Sequence, residues 1–282
     1  MSDHLKGLLI TITGILALCP DSLIVRLIEA DQWTLLFWRG IFTGTGIALF
    51  SALYHGRNAS AAFQKIGMPG VLMAFIFTGS TIFFVTALHY TSVANTLVIT
   101  GTAPIFAALL SRVFLSEPVS LRTWVTIVVV ICAVSLIVYE SFGGGTLWGD
   151  ICALITAISV AGTFVITRQS KGHDMTPAMA LSGLVTALCV LPFATPFEVS
   201  ADTMKLLLLL GFFLTAAFGL LTIGPRFIPA PEVTMLLSLE TVFGVFLVWY
   251  FLGEEPTINA IIGGTIVVLT LSVHSAMALR KQ

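Results

Sequence analysis

Asp21, Arg39 and Glu240 stand inside stretches that are otherwise apolar, and they are the side chains best placed to do chemistry. At the centre of a membrane-spanning helix a charge costs about 2.5–3.5 kcal/mol on insertion scales, so each needs a partner or a polar cavity. Asp21 falls about seven residues from one end of its apolar run, and Arg39 about six from the matching end of the next. At ~1.5 Å per residue both lie roughly 10 Å deep. The match leaves two readings open: a structural ion pair that fixes helix packing, or a pair that gates or orients a zwitterionic solute. Glu240, the acidic residue near the middle of a later run, is either a proton or cation site or a cap on broken backbone. Pro20 and Pro104 interrupt two runs; proline has no N–H to donate and tends to kink a helix, freeing carbonyls for a ligand, a water or a neighbour.

Uncharged polar residues gather in two places. One run carries Asn95, Thr96, Thr100 and Thr102 ahead of Pro104, and another carries Thr156, Ser159, Thr163 and Thr167. Such hydroxyls often bond back to the carbonyl four residues earlier; otherwise they line a cavity. With Phe37, Trp38, Phe83, Phe84 and Phe164 that cavity is mostly apolar with few hydrogen-bonding groups, as small-molecule sites are. His89 sits near the end of its run, where it is interfacial or joins a mouth with Tyr90, Ser92 and Asn95; His274 reads as interfacial. Gly40 and Gly44 form a small-xxx-small pattern that eases a close approach of the first two helices.

The missing patterns exclude much. There is no paired Asp-x-x-x-Asp, no His-Glu-x-x-His and no Gly-rich loop with Lys to cradle phosphate. No Ser/His/Asp set falls at compatible depths. Cys19, Cys132, Cys152 and Cys189 stand singly in apolar surroundings and read as packing. No catalytic residue, metal site or cofactor is expected, and the chain does not read as an enzyme.

These residues need a membrane to hold them. The 282 residues are 57% hydrophobic and 10% charged, with mean hydropathy +1.03, against roughly 25% charged in globular proteins. A net charge of −1 argues against a nucleic-acid partner. A bilayer core needs about 20 apolar residues per helix. Ten segments qualify: Lys6–Ile28, Trp33–Tyr54, Ile66–Tyr90, Val93–Leu115, Leu121–Tyr139, Leu147–Arg168, Pro177–Ala194, Thr203–Phe227, Ala230–Leu252 and Thr257–Leu279. Lys6, Arg57, Lys65, Arg112, Arg122, Arg168, Lys171, Arg226, Arg280 and Lys281 collect at one set of ends. By the positive-inside rule those ends, and both termini, are cytoplasmic.

The chain also repeats itself. At a shift of 137 positions Phe243 falls on Phe106, Leu247 on Leu110, Phe251 on Phe114 and Glu254 on Glu117, so Leu115-Ser116-Glu117 recurs as Leu252-Gly253-Glu254. The expected organisation is a first five-helix repeat over 1–142, a Gly-rich joint at 143–146 and a second repeat over 147–282. Gly144 marks that joint as a flexible link. Five crossings per repeat set the second upside down relative to the first, and such pairs expose a central site alternately to either side.

Phe37-Trp38-Arg39-Gly40, Pro104-Ile105-Phe106 leading to Leu115-Ser116-Glu117, and Leu239-Glu240-Thr241-Val242-Phe243 leading to Leu252-Gly253-Glu254 resemble the bacterial drug/metabolite transporter superfamily with EamA-type repeats. Within it the chain looks closest to the YddG-type exporters of aromatic and neutral amino acids. The resemblance implies an all-α polytopic protein of ten helices in an inverted five-plus-five repeat around a central cavity, and export of small organic solutes. It carries Arg39, Pro104 and Glu240 over as positions. Two departures stand out: Thr241 where the second repeat usually has proline, and Pro20-Asp21 in place of a Gly-Ser-Asn type of sequence.

The expectation is therefore a transporter of the bacterial inner membrane that exports neutral and aromatic amino acids and related metabolites by alternating access. Its partners are a small-molecule substrate and the lipid bilayer, and a monomer is the working assumption for its assembly. Candidate cavity residues are Asp21, Phe37, Trp38, Arg39, Phe83, His89, Asn95, Thr100, Ser159, Thr163, Phe164 and Glu240, with Pro20, Pro104 and Gly144 at conformational breaks. Two alternatives remain: an exporter of cationic or lipophilic toxic compounds with Glu240 or Asp21 as counter-group, and a membrane enzyme or non-transporting scaffold subunit.

Overall fold

A computed structural model describes residues 3–56, 59–116, 121–144, 146–170, 173–228 and 230–279. Among the described residues fourteen α-helices follow one another: α1 (Asp3–Leu18), α2 (Asp21–Leu27), α3 (Gln32–His55), α4 (Ala59–Gln64), α5 (Gly67–Tyr90), α6 (Val93–Thr100), α7 (Ala103–Leu115), α8 (Leu121–Gly144), α9 (Leu147–Gln169), α10 (Thr176–Val190), α11 (Ala201–Leu221), α12 (Ala230–Leu236), α13 (Ser238–Leu252) and α14 (Ile258–Leu279). No strand occurs among the described residues. An all-helical fold follows from the apolar composition, because in lipid the backbone must satisfy its own hydrogen bonds.

Among the described residues seven helical stretches are long and apolar enough to cross a bilayer: His4–Leu27, Gln32–His55, Gly67–Tyr90, Val93–Leu115, Leu147–Gln169, Thr176–Phe193 and Ala201–Leu221. Three shorter apolar helices, Trp124–Leu136, Leu239–Leu252 and Ile258–Thr270, fall on the fifth, ninth and tenth segments expected from the sequence. The exterior carries bare apolar side chains, among them Leu53, Phe75, Phe114, Val128, Phe212 and Tyr250, a surface that water does not tolerate in one patch and lipid does. This is a multi-pass membrane protein.

Helix pairings recur when the two halves are exchanged. α3 packs on α10 and α8 on α14; α5 packs on α9 as α11 does on α1, and α5 on α10 as α11 does on α3. The recurring Leu-small-Glu step has a structural meaning too. Ser116 and Gly253 adopt left-handed backbone, with φ of 55° and 67°, and close α7 and α13 as C-terminal caps. That conformation is cheapest for glycine and small polar residues. Beyond the second cap, Glu254 reaches the first half: it accepts a 2.8 Å bond from the Val93 N–H at the start of α6 and pairs with Arg26 at 3.4 Å. Its counterpart Glu117 lies outside the described residues.

Two expectations change. Gly143 and Gly144 continue α8 rather than forming a loop, since helix hydrogen bonds outweigh a glycine cost of about 1 kcal/mol per residue; Gly145 lies outside the described residues. Gly40 and Gly44 meet α10 and not the first helix. A Cβ on Gly40 would stand 2.5 Å from the Gly183 carbonyl oxygen, and one on Gly183 would stand 2.7 Å from the Gly44 Cα. The α3–α10 crossing is a backbone-to-backbone contact that only glycine permits.

At one end of the bundle, Asp174 joins the halves. It accepts from the Thr176 N–H at 3.0 Å and the Thr176 hydroxyl at 2.7 Å, from the Arg226 guanidinium, and lies 2.7 Å from His55 Nε2 at the end of α3. Burial pushes its carboxyl up, but the bonds from Thr176, then the charge of Arg226 and the bond to His55, outweigh burial and hold it below the ordinary range.

Three outcomes are expected. Gly183→Ala lowers the melting temperature of the purified protein, because overpacking costs about 1–3 kcal/mol against a helix-propensity gain of about 1 kcal/mol. Gly79→Ala, where an added Cβ meets nothing within 4 Å, leaves it unchanged or raises it. A carboxylate whose folded pKa is depressed stabilises above its unfolded value, about 3.9, and loses that contribution as pH falls through the folded value. Asp174→Asn is thus expected to melt earlier than wild type at pH 5–7, with the gap closing below about pH 4.

Candidate functional site

Three spans are broken near their middles, and the breaks meet. Pro20 ends the first: it caps α2 in helical backbone without a side-chain bond, and the Ile24 N–H returns to the Pro20 carbonyl at 2.9 Å. Pro104 sits in the first turn of α7, so the fourth span turns at Gly101 and Thr102, where the Thr102 N–H reaches the Ile99 carbonyl at 3.1 Å. The third break, at Leu237 between α12 and α13, comes without proline at Thr241. The Glu240 N–H makes a tight 2.9 Å bond to the Leu237 carbonyl there, and the Thr241 hydroxyl crosses to the Leu97 carbonyl of α6 at 3.0 Å.

Between the breaks lies a cavity of about 70 Å³, measured as the space open to the centres of water-sized molecules. About 10–15 Å³ of that measure holds one water, so the space holds several waters or the head group of a small solute. Leu18, Asp21, Thr100, Gly101, Leu237, Glu240 and Thr241 from the breaks contribute to the wall. Phe77, Ser80, Thr81 and Phe84 form a stripe of α5, Thr156, Val160 and Phe164 one of α9, and Arg39, Phe218 and Leu221 complete it.

Of the candidate residues, Asp21, Arg39, Thr100, Phe164 and Glu240 line this space. Asp21 and Arg39 form a two-pronged ion pair: Arg39 Nη2 donates to Asp21 Oδ2 at 2.8 Å and Nη1 to Oδ1, with the side chains 4% and 2% exposed. The matched depths correspond to a real contact. The guanidinium also stands over the Phe84 ring, 5.7 Å from its centre, a favourable cation–π geometry.

The remaining candidates lie elsewhere, because neighbours on a helix point about 100° apart. Phe83 packs with Ala87, Ile99, Cys152 and Ala153, one step off the stripe that holds Phe84. Ser159 and Thr163 are each one step from the face of α9 that carries Val160 and Phe164, and the Thr163 hydroxyl returns to the Ser159 carbonyl at 3.0 Å. Trp38 donates to the Pro196 carbonyl at 3.1 Å and Phe37 packs edge-on against it. His89 is exposed against Tyr90, and buried Asn95 donates to the Thr91 hydroxyl at 3.4 Å. Sequence reasoning missed Ser80 and Thr81. Their signal was the pair itself, two hydroxyls at i+3 and i+4 from Phe77 in an apolar helix. Among the described residues no three His, Cys, Asp or Glu gather as a metal site would require.

Removing one partner of a buried ion pair strands the other, at a cost of about 3–5 kcal/mol. Arg39→Met is therefore expected to abolish or sharply reduce folded yield, while Asp21→Asn combined with Arg39→Gln recovers most of it; fluorescence-detected size exclusion reads both. Equal loss in single and double variants would contradict the pairing.

Known proteins share this architecture. The EamA-like transporter family matches residues 7–139 and again 147–275. The uncharacterized transporter YdfC of Bacillus subtilis is 29% identical over 178 residues, spanning 59% of this chain and 57% of its own length. The pseudopaline exporter CntI of Pseudomonas aeruginosa is 23% identical over 262 residues, 91% of this chain and 92% of that one. A solved crystal structure superposes with a TM-score of 0.75 at 16% identity over 99% of both chains, a likeness of fold alone. With its two tandem matches covering most of the sequence, the chain belongs to the EamA-like transporter family.

Proposed function

We propose that this protein is a secondary transporter of the bacterial inner membrane that exports neutral amino acids, aromatic ones included, and related small metabolites by alternating access. The observation that carries the reading is the meeting of three broken spans around one cavity. Discontinuous helices at a repeat interface are how many transporters build a substrate site near the bilayer midplane. The wall suits an amphipathic solute, with Phe77, Phe84, Phe164 and Phe218 beside a small set of polar groups. In this reading residues 1–142 and 147–282 are inverted five-helix repeats joined at 143–146, both termini are cytoplasmic, and ten crossings include the three shorter helices. Rocking of one repeat against the other opens the cavity to each side in turn. Outward transport is in keeping with the Pseudomonas aeruginosa relative, whose name is that of an exporter, and the YddG-type likeness supports the amino-acid class. A second reading, export of cationic compounds, is favoured by the carboxylate of Glu240 in the wall.

Purified protein in liposomes, followed with labelled phenylalanine, threonine, methionine and a quaternary amine, separates the two. Protein-dependent flux of phenylalanine and the smaller neutral amino acids is expected. Flux of the quaternary amine alone transfers the assignment to the second reading, and no protein-dependent flux of any solute rejects transport of these classes.

A further inference from the structure

Most polar groups around the central cavity already have partners inside the protein, and those that do not share one chemistry. Both oxygens of Asp21 receive the Arg39 guanidinium, so a solute carboxylate reaching Arg39 has to displace a buried two-pronged pair. The hydroxyls of Thr100, Thr156 and Thr241 donate to the carbonyls of Thr96, Cys152 and Leu97 at 2.9, 2.9 and 3.0 Å. Three groups in the wall are left: the Glu240 carboxylate and the hydroxyls of Ser80 and Thr81. None of them makes a side-chain hydrogen bond among the described residues. Ser80 is only 3% exposed, so the partner its hydroxyl lacks within the protein has to come from the cavity, as a water or a solute.

Charge points the same way. Asp21 and Arg39 cancel each other, and Glu240 is the acidic group left over on the wall. A carboxyl group at this depth ionises only with a counter-charge beside it, and a bound ammonium supplies one. A carboxylate and two hydroxyls all offer acceptor lone pairs, and a primary ammonium brings three donors. The aromatic faces of Phe77, Phe84, Phe164 and Phe218 favour a cation at close range as well as an apolar side chain.

We propose that the cavity recognises its solute through a protonated primary amine, held by Glu240, Ser80 and Thr81, and that the carboxylate of an amino acid is dispensable for binding. The inference rests on the reading of this cavity as the transport site, and binding tests it without requiring flux. Isothermal titration of the purified protein compares phenylalanine, phenethylamine, which lacks the carboxylate, and 3-phenylpropionate, which lacks the amine. Phenethylamine is expected to bind within about threefold of phenylalanine, and 3-phenylpropionate at least about tenfold more weakly, the loss of one hydrogen bond to a charged group. Glu240→Gln is expected to weaken phenethylamine by about ten- to a hundredfold, and Ser80→Ala by about threefold or more. Phenylpropionate binding as well as phenylalanine, phenethylamine affinity unchanged in both variants, or no binding of any of the three overturns the assignment. A protein that binds the amines yet moves none of them would leave the assignment standing while the transport reading fell.

Discussion

A helix broken inside a bilayer leaves backbone groups that lipid cannot satisfy, so the break has to be turned toward protein or a polar space. That constraint acts three times here, at Pro20, at Gly101–Thr102 and at Leu237, and the three breaks face one another. The first two carry a proline that cannot donate. The third does not, and a tight turn into Glu240 with the Thr241 bond to Leu97 holds it in shape. The cavity follows from where the chain cannot continue as regular helix.

Electrostatics then decides what the cavity wall offers. Arg39 and Asp21 are buried together and satisfy each other. Such pairs gain little over an apolar replacement, but the loss of either member is expensive. Their depth fixes α2 in height against α3: any slide of one helix along the other would pull opposite charges apart in a medium that cannot solvate them. Glu240 stands in the same wall without a partner of this kind, so the acidic surplus lies on the side contributed by the second half of the chain.

The twofold likeness of the halves organises the periphery. α7 and α13 end in the same left-handed cap, and the residue after the second cap bridges to the start of α6 in the opposite half. Glycines at the α3–α10 crossing bring backbones from the two halves into direct contact. The halves are therefore held at a closely packed crossing and at small polar contacts near the ends, such as Glu254 with Arg26 and Asp174 with His55.

What the residues alone determined was whatever depends on spacing along the chain. Apolar length placed the spans, the 137-residue shift exposed the repeat, two prolines marked two of the three breaks, and Asp21 and Arg39 were matched in depth, while their contact was decided only by the tertiary structure. Rotation about each helix axis depends on the neighbours, and there the sequence is silent. Phe84 rather than Phe83 faces the cavity because α5 is turned by its packing on α9 and α10. The Thr-rich runs near Asn95 and Ser159 have the composition of a polar lining, yet most of their hydroxyls return to their own helices, since in an apolar interior the carbonyl one turn back is the nearest acceptor. Which hydroxyls stay free is a property of the assembled bundle, and only the tertiary structure picked out Ser80 and Thr81.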